Sequence, residues 1–315
     1  MPNAFRCSVV IPTYNRAGLL RYTLHSMTRQ TLPRAEFEVL VVDDGSSDDT
    51  AEVVKDFEDR LNLRYLFQED EGYRVAGARN LGISRAESDV CVFIDSGVLA
   101  HSECLAAHVI SHDQAAGPVA VVGYVYCFNF NNEDAILINQ SIDFDDPDGT
   151  IRRLADERRW LDVRERFYAK YTEDFGGQPA PWVVFWTCNV SASTAQLRSV
   201  GMFDEEFRTW GGEDLDLGYR LHRAGARFVL NRAAAAIHAP HDKRYARNAD
   251  GTLANYRYMV EKYDGTPIIK LLLEFPNGDP GNTEQSVDPF TMNDIIRARG
   301  LPSCADFLAA KAAHS

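Results

Sequence analysis

Val41-Val42-Asp43-Asp44-Gly45-Ser46-Ser47-Asp48-Asp49-Thr50 leaves an apolar, β-branched run, crosses a polar turn and enters a helical pattern. Glu38–Val42 reads as a strand and Asp49–Leu61 as a helix, with Val53, Val54, Phe57 and Leu61 on one face. The same succession recurs on either side. Ser8–Ile11, Leu63–Phe67 and Val90–Ile94 read as further strands, and Leu19–Arg29 and Val75–Arg85 as helices. Such alternation predicts an α/β fold, a Rossmann-like, mostly parallel sheet flanked by helices. Ligands of such sheets bind at the carboxyl ends of the strands. Thr13-Tyr14-Asn15-Arg16 follows the first strand, Asp43-Asp44-Gly45-Ser46 the second and Asp95-Ser96-Gly97 the fourth. Three polar turns on one edge form a constellation.

A second informative stretch is Arg208-Thr209-Trp210-Gly211-Gly212-Glu213-Asp214-Leu215-Asp216-Leu217. Leu217, Leu221 and Ala224 continue at helical spacing, so the carboxylates fall in a first helical turn. There the unpaired N–H groups and the macrodipole favour ionised acids. Helix statistics account for Glu213 and Asp214 but not for the preceding Trp-Gly-Gly. An ionised Asp214 beside a glycine-lined opening and the indole of Trp210 suggests a general base next to a sugar ring. Its expected pKa is the ordinary aspartate value of about 3.9.

The chain has 315 residues, 45% of them hydrophobic, enough for one large core and a smaller appendage. A formal net charge of -13 argues against a nucleic-acid partner. The cysteines show no C-x-x-C spacing, and Cys91 and Cys127 lie in strand-like runs, which points to buried free thiols in a reducing compartment. No signal peptide or transmembrane segment is read, so a cytoplasmic protein is expected. Within Asn131–Tyr171 a charged helix is expected, with Trp160, Val163, Phe167 and Tyr171 as a buried stripe. The expected organisation is a nucleotide-sugar-binding and catalytic domain over 1–240 and a helical C-terminal extension over 241–315.

These motifs in this order resemble the inverting glycosyltransferases of family 2, which have the A-type glycosyltransferase fold. The resemblance runs from about Ser8 to His238. It implies donor binding by Pro12, Thr13, Tyr14 and Arg16, with Asp44 on the uracil and Arg74 and Arg79 supporting base and diphosphate. Asp95, Ser96 and Asn189 complete the implied donor set. The Trp-Gly-Gly-Glu-Asp block looks like that of galactosyl- and N-acetylgalactosaminyl-transferases and of chondroitin-type polymerases. It implies Asp214 as catalytic base, Glu213 as acceptor contact and catalytic partner, and Trp210 and Gly212 on the acceptor side.

The chain departs from the family at Asp95-Ser96-Gly97, where Asp-x-Asp is usual; the polypeptide N-acetylgalactosaminyltransferases similarly carry Asp-Ser-His. Restoring an aspartate at 97 is conceivable if the backbone there tolerates a side chain. The resemblance implies a divalent metal on Asp95 and His238, with His241 a nearby substitute. Mixed carboxylate and imidazole donors favour Mn²⁺ over Mg²⁺. The implied reaction takes a UDP-sugar to a hydroxyl or amine of an acceptor, which the sequence leaves open among a small metabolite, a glycan and a carrier-bound intermediate. The alternatives are a catalytically weak sugar-nucleotide binder and a nucleotidyltransferase, whose Gly-rich, basic first turn Pro12–Arg16 lacks.

Overall fold

The computed structural model describes residues 5–129, 132, 134–241, 245–274, 289–302 and 306–307. Strands β1 (Phe5–Thr13), β2 (Phe37–Asp43), β3 (Leu63–Phe67) and β4 (Ser88–Ile94) alternate with helices α1 (Ala17–Met27), α2 (Thr50–Lys55) and α3 (Val75–Arg85). Then come β5 (Val98–Ala100), α4 (Cys104–Gln114), β6 (Val119–Tyr126), α5 (Ala135–Gln140), α6 (Pro147–Glu157) and α7 (Glu165–Tyr171). They are followed by β7 (Asn189–Ser193), α8 (Thr194–Ser199), α9 (Glu213–Arg223) and β8 (Arg227–His238). Helices α10 (Tyr245–Lys262), α11 (Pro267–Lys270) and α12 (Met292–Ala298) come last.

The strands form one eight-stranded sheet in the order β3-β2-β1-β4-β7-β6-β8-β5. Four of the seven pairings are parallel, and β7 runs antiparallel to both of its neighbours. Successive side chains of a strand point to opposite faces, and both faces here are covered. Val10, Leu40, Val42 and Phe93 enter one core. Val9, Ile11, Val39, Val41 and Val92 enter the other. That is why these strands read as continuous apolar runs. The direction of β7 matters for the site: its amino end arrives where β1, β2, β4, β6 and β8 bring their carboxyl ends. Thr13, Asp44, Asp95, Phe128, Cys188 and His238 therefore meet on one edge.

Two helical expectations change. Regular helix α2 stops at Lys55, although Phe57 and Leu61 stay buried in the turns that follow. The charged helix expected through Trp160 is split into α6 and α7. Arg158 (φ 52°) and Trp160 (φ 47°) adopt left-handed conformations that end α6. Phe167 and Tyr171 are buried as expected, whereas Trp160 packs at the core's margin. After 241, Met259, Ile268, Ile269, Leu271, Met292 and Ile296 join the first core. Cys7, Cys91, Cys104, Cys127 and Cys188 are free and buried; Cys304 lies outside the described residues. No helix among the described residues is long and apolar enough to cross a membrane.

Gly82 sets the closest approach of α3 to β1: a Cβ there would lie 2.4 Å from Val10 Cγ1. Overpacking of this kind costs about 1–3 kcal/mol, against an alanine helix-propensity gain of at most about 1 kcal/mol. Gly82→Ala should lower the unfolding free energy by about 1–2 kcal/mol in urea titrations. An unchanged midpoint would show that the interface has slack.

Candidate active site

A cleft of about 400 Å³ opens on this edge. Pro12, Thr13, Tyr14 and Arg16 reach it from the end of β1, Asp44 from β2, and Asp95 and Ser96 from β4. Trp210, Gly211, Gly212, Glu213 and Asp214 reach it from the entry of α9, and His238 and His241 from the end of β8. Of the residues given a donor, acceptor, catalytic or metal role from the sequence, only Arg74 and Asn189 do not line it.

Arg79 joins the two halves. From α3 its Nη1 donates to Glu213 Oε1 at 3.0 Å and its Nη2 to Asp95 Oδ1 at 2.9 Å. The guanidinium is almost fully buried, as is Glu213. Burial acts against the Arg79 cation, but Asp95 and then Glu213 outweigh it and hold its pKa above the ordinary value. Two carboxylates thus engage this guanidinium. Arg74 is also occupied, its side chain by Glu71 at 2.8 Å. Arg16 differs. It is half-buried in the cleft, and among the described residues its side chain makes no hydrogen bond or ion pair. Burial lowers its pKa and Asp95 opposes that change.

Asp214 departs from the expectation of an ordinary aspartate. Burial, followed by the neighbouring Glu213 carboxylate, pushes it up to about 8. Arg79 and the Leu215 N–H, which donates to Asp214 Oδ1 at 2.8 Å, act the other way. Asp44 is held from two sides. Gln68 Nε2 donates to Oδ1 and the Arg74 backbone N–H donates to Oδ2 at 3.0 Å. Burial nevertheless raises its pKa.

Asn189 is on the other side of the sheet. Its Nδ2 donates to Ala234 O at 2.8 Å, and its Oδ1 lies 2.9 Å from His108 Nε2. It is fully buried under α4, while the preceding Thr187 and Cys188 line the cleft. The donor-sugar contact expected of Asn189 is therefore not available to it.

Gly97 closes the turn between β4 and β5. Its φ of +98° is strained for any residue with a side chain, and a Cβ would sit 3.4 Å from Leu19. Its N–H donates to Thr23 Oγ1 at 2.9 Å. A second aspartate at 97 would thus be strained in this turn, and no group of three metal-binding side chains occurs among the described residues. Asp95 does retain an oxygen that Arg79 does not engage, and β5 pairs with β8 so that Val98 lies opposite His238. His238 and His241 stand with ring centroids 5.4 Å apart. One carboxylate with imidazoles is a donor set that suits Mn²⁺ if a ligand's phosphate oxygens complete it.

The Trp-Gly-Gly turn is shaped by α10, a role not read from the sequence. Gly211 and Gly212 have φ of +92° and +98°, and a Cβ on Gly211 would meet Thr252 Oγ1 at 2.7 Å. Asn255 Nδ2 donates to the carbonyls of Thr209 at 3.1 Å and Gly211 at 2.6 Å. Thr252 Oγ1 donates to Trp210 O at 3.2 Å. Farther along, Lys262 reaches Asp204 and Asp216, each at 2.7 Å. Tyr73, Phe128, Trp186 and Tyr256 also line the cleft unannounced, because an isolated aromatic reads the same in a core as in a site.

Residues 8–168 match the family described as Glycosyl transferase family 2. The chain belongs to that family. Residues 171–242, which include the Trp210–Asp214 block, match the N-terminal domain of galactosyltransferase. Over 256 residues the chain is 41% identical to validoxylamine A glucosyltransferase of Streptomyces hygroscopicus subsp. jinggangensis, covering 81% of this chain and 60% of that protein. It thus spans about three fifths of the length of that relative. Among solved structures, S. aureus TarS 1-349 in complex with UDP-GlcNAc aligns with a TM-score of 0.61 at 18% identity, over 86% of this chain and 71% of that one. The mannosyltransferase PcManGT of Pyrobaculum calidifontis, in complex with GDP-Man and Mn2+, gives 0.58 at 20% identity over 99% and 82%. These likenesses show the A-type glycosyltransferase fold.

Removing Arg79 would leave Asp95 and Glu213 facing each other. Loss of one partner from a buried ion cluster costs about 3–5 kcal/mol. Arg79→Gln should lose stability of that order in urea unfolding; a loss below about 1 kcal/mol would show that the carboxylates relax by protonation or hydration.

Proposed function

We propose that the protein transfers a sugar from a UDP-sugar to a hydroxyl or amine of an acceptor, with inversion, and that Asp214 is the general base. The observation that carries this reading is the meeting in one cleft of Asp44, Arg16, Asp95 and Asp214, from four separate elements. The glucosyltransferase relative and the UDP-GlcNAc complex of a protein of like fold support the donor class. On this reading residues 1–240 hold donor and base, and 241–315 form an extension whose helix α10 braces the acceptor side.

In the reaction the acceptor's oxygen or nitrogen forms a bond to the anomeric carbon as the bond from that carbon to the diphosphate breaks. The acceptor's proton passes to Asp214, and UDP leaves with the bonding electrons. Asp44 accepts from the uracil ring, its oxygens oriented by Gln68 and Arg74. Pro12, Thr13 and Tyr14 border the nucleotide, and Arg16, rather than Arg79, offers its charge to the diphosphate. Glu213, fixed by Arg79, and Trp210 bear on the acceptor. A divalent cation held by Asp95 with His238 or His241 would supply charge stabilisation of the leaving diphosphate. The match of residues 171–242 to the N-terminal domain of galactosyltransferase supports a mechanism of the galactosyl- and N-acetylgalactosaminyl-type, without bearing on the donor sugar.

A panel of UDP-sugars assayed for transfer and hydrolysis, with and without Mn²⁺, tests the reading; binding without turnover would favour a sugar-nucleotide binder. Asp214→Asn should reduce transfer by ~10²–10⁴ while calorimetry shows UDP binding retained. Because the ionised carboxylate is the active form, log kcat/KM should rise with pH and level off near Asp214's value of about 8, not near 4. The limb should vanish in Asp214→Asn. A limb below pH 5 would remove Asp214 from the role.

EDTA should abolish most of the activity, and Mn²⁺ should restore more than Mg²⁺. His238→Ala should raise the Mn²⁺ concentration for half-activation. Full turnover after exhaustive chelation would leave Arg16 and helix N-termini as the neutralisers of the diphosphate.

A further inference from the structure

Helix α10 lies beyond residue 242, where the second family match ends. It nevertheless contributes Asn248, Ala249, Thr252 and Tyr256 to the cleft. The spacing i, i+1, i+4, i+8 puts these four on one face. The Thr252 hydroxyl is committed to the carbonyls of Asn248, at 2.9 Å, and Trp210, at 3.2 Å. Asn248 and Tyr256 are not: among the described residues neither the Asn248 amide nor the Tyr256 hydroxyl makes a hydrogen bond, and the half-exposed Trp210 indole N–H makes none either. The Tyr256 ring is held against the turn, its Cε1 3.7 Å from where a Cβ on Gly212 would be. Burial, then the Asp214 and Glu213 carboxylates, raise the pKa of its phenol. The hydroxyl therefore stays a proton donor within electrostatic reach of the base. A further polar atom points the same way. Glu213 is 5% exposed, and its Oε2 is buried with no hydrogen-bond partner.

We infer that this face of α10 is the acceptor subsite, and that Tyr256 and Asn248, with Trp210 and Glu213 Oε2, bind a polyhydroxylated six-membered ring, a pyranose or a cyclitol. The inference rests on the transfer reading above and deepens it. Two kinds of group are required to hold such a ring. Flat aromatic surfaces cover its C–H face, which Trp210 and Tyr256 supply. Uncommitted donors and acceptors take its hydroxyls, since a buried polar group left unpaired is costly. A buried carboxylate oxygen, an amide and a phenol match a ring that is rich in hydroxyls. A purely apolar acceptor would leave all three unpaired. Asn255 and Thr252 are positioning residues in this scheme, acting through the Thr209–Gly212 turn.

The test uses the whole chain with the UDP-sugar found active in the panel, and methyl glucopyranoside and myo-inositol as acceptor probes. Wild type should transfer to at least one of them. Tyr256→Phe should raise the KM for that acceptor about 3- to 10-fold, the loss expected for one hydrogen bond. Asn248→Ala should do the same, and the Kd for UDP alone, measured by calorimetry, should stay within twofold in both. Tyr256→Phe keeps the ring and its packing on Gly212, so a folding defect does not confuse the result, and a thermal melt checks this. An unchanged acceptor KM in both variants overturns the assignment, as does a UDP Kd that weakens in proportion to the acceptor KM. Hydrolysis of the donor by wild type with no transfer to either ring overturns the acceptor class. Failure to bind UDP at all is a different outcome and overturns the transfer reading itself.

Discussion

Arg79 sits between Asp95 and Glu213, and the geometry of the cleft depends on that buried ion cluster. Asp95 ends strand β4, Arg79 lies in α3 and Glu213 begins α9, so one guanidinium fixes three elements. A buried ion pair is a poor source of net stability, because desolvation consumes most of the Coulomb attraction. Its use here is specification. A guanidinium presents donors in a rigid fork, so the two carboxylates it bridges are held at a set separation and angle. Glu213 is thereby oriented, and Asp214, one residue on, is set with it.

The same cluster makes the cleft electrostatically incomplete. Asp44, Asp95, Glu213 and Asp214 line it with Arg16 and Arg79 as its described cations. Four carboxylates against two guanidiniums leave an excess of negative potential even before a diphosphate enters. This excess is one cause of the raised pKa of Asp214. On the proposed reading it would also repel an anionic donor unless a cation accompanied it. On the proposed reading, Asp95 is therefore less important as a strong ligand than as one contact for an ion whose remaining ligands arrive with the nucleotide. The glycine at 97 is consistent with that: its left-handed turn links β4 to β5 and disfavours a second carboxylate there.

What was legible in the sequence follows from periodicity. Strands buried on both faces read as unbroken β-branched runs, and their polar turns mark the edge where the cleft lies. Strand β7 escaped because Asn189–Ser193 is short and half polar. Asn189 is held under α4 by Ala234 and His108, while Cys188 before it lines the cleft. The role of Arg79 escaped for another reason. Helix α3 has little apolar asymmetry, and a buried arginine in it looks like a surface one until its partners, 16 and 134 residues away, are located. The bracing by α10 was hidden in the same way, since Asn255 lies 44 residues from Gly211.

Asp214 shows how a local rule can be correct and still lose. It stands in the first turn of α9, where the helix dipole favours a carboxylate by about 0.3–1 kcal/mol. A displacement of one pKa is worth about 1.4 kcal/mol, and Asp214 moves from 3.8 to about 8. Burial and the adjacent Glu213 therefore outrank the dipole. For a base this outcome is favourable rather than damaging. A carboxylate near 3.9 is ionised at neutral pH but accepts a proton weakly, and so contributes only late in the transition state. One whose pKa lies close to the working pH is ionised often enough and takes the proton with a much larger driving force. The cluster that holds Glu213 in place thus also tunes its neighbour, because the carboxylate that Arg79 fixes is the one whose charge raises Asp214.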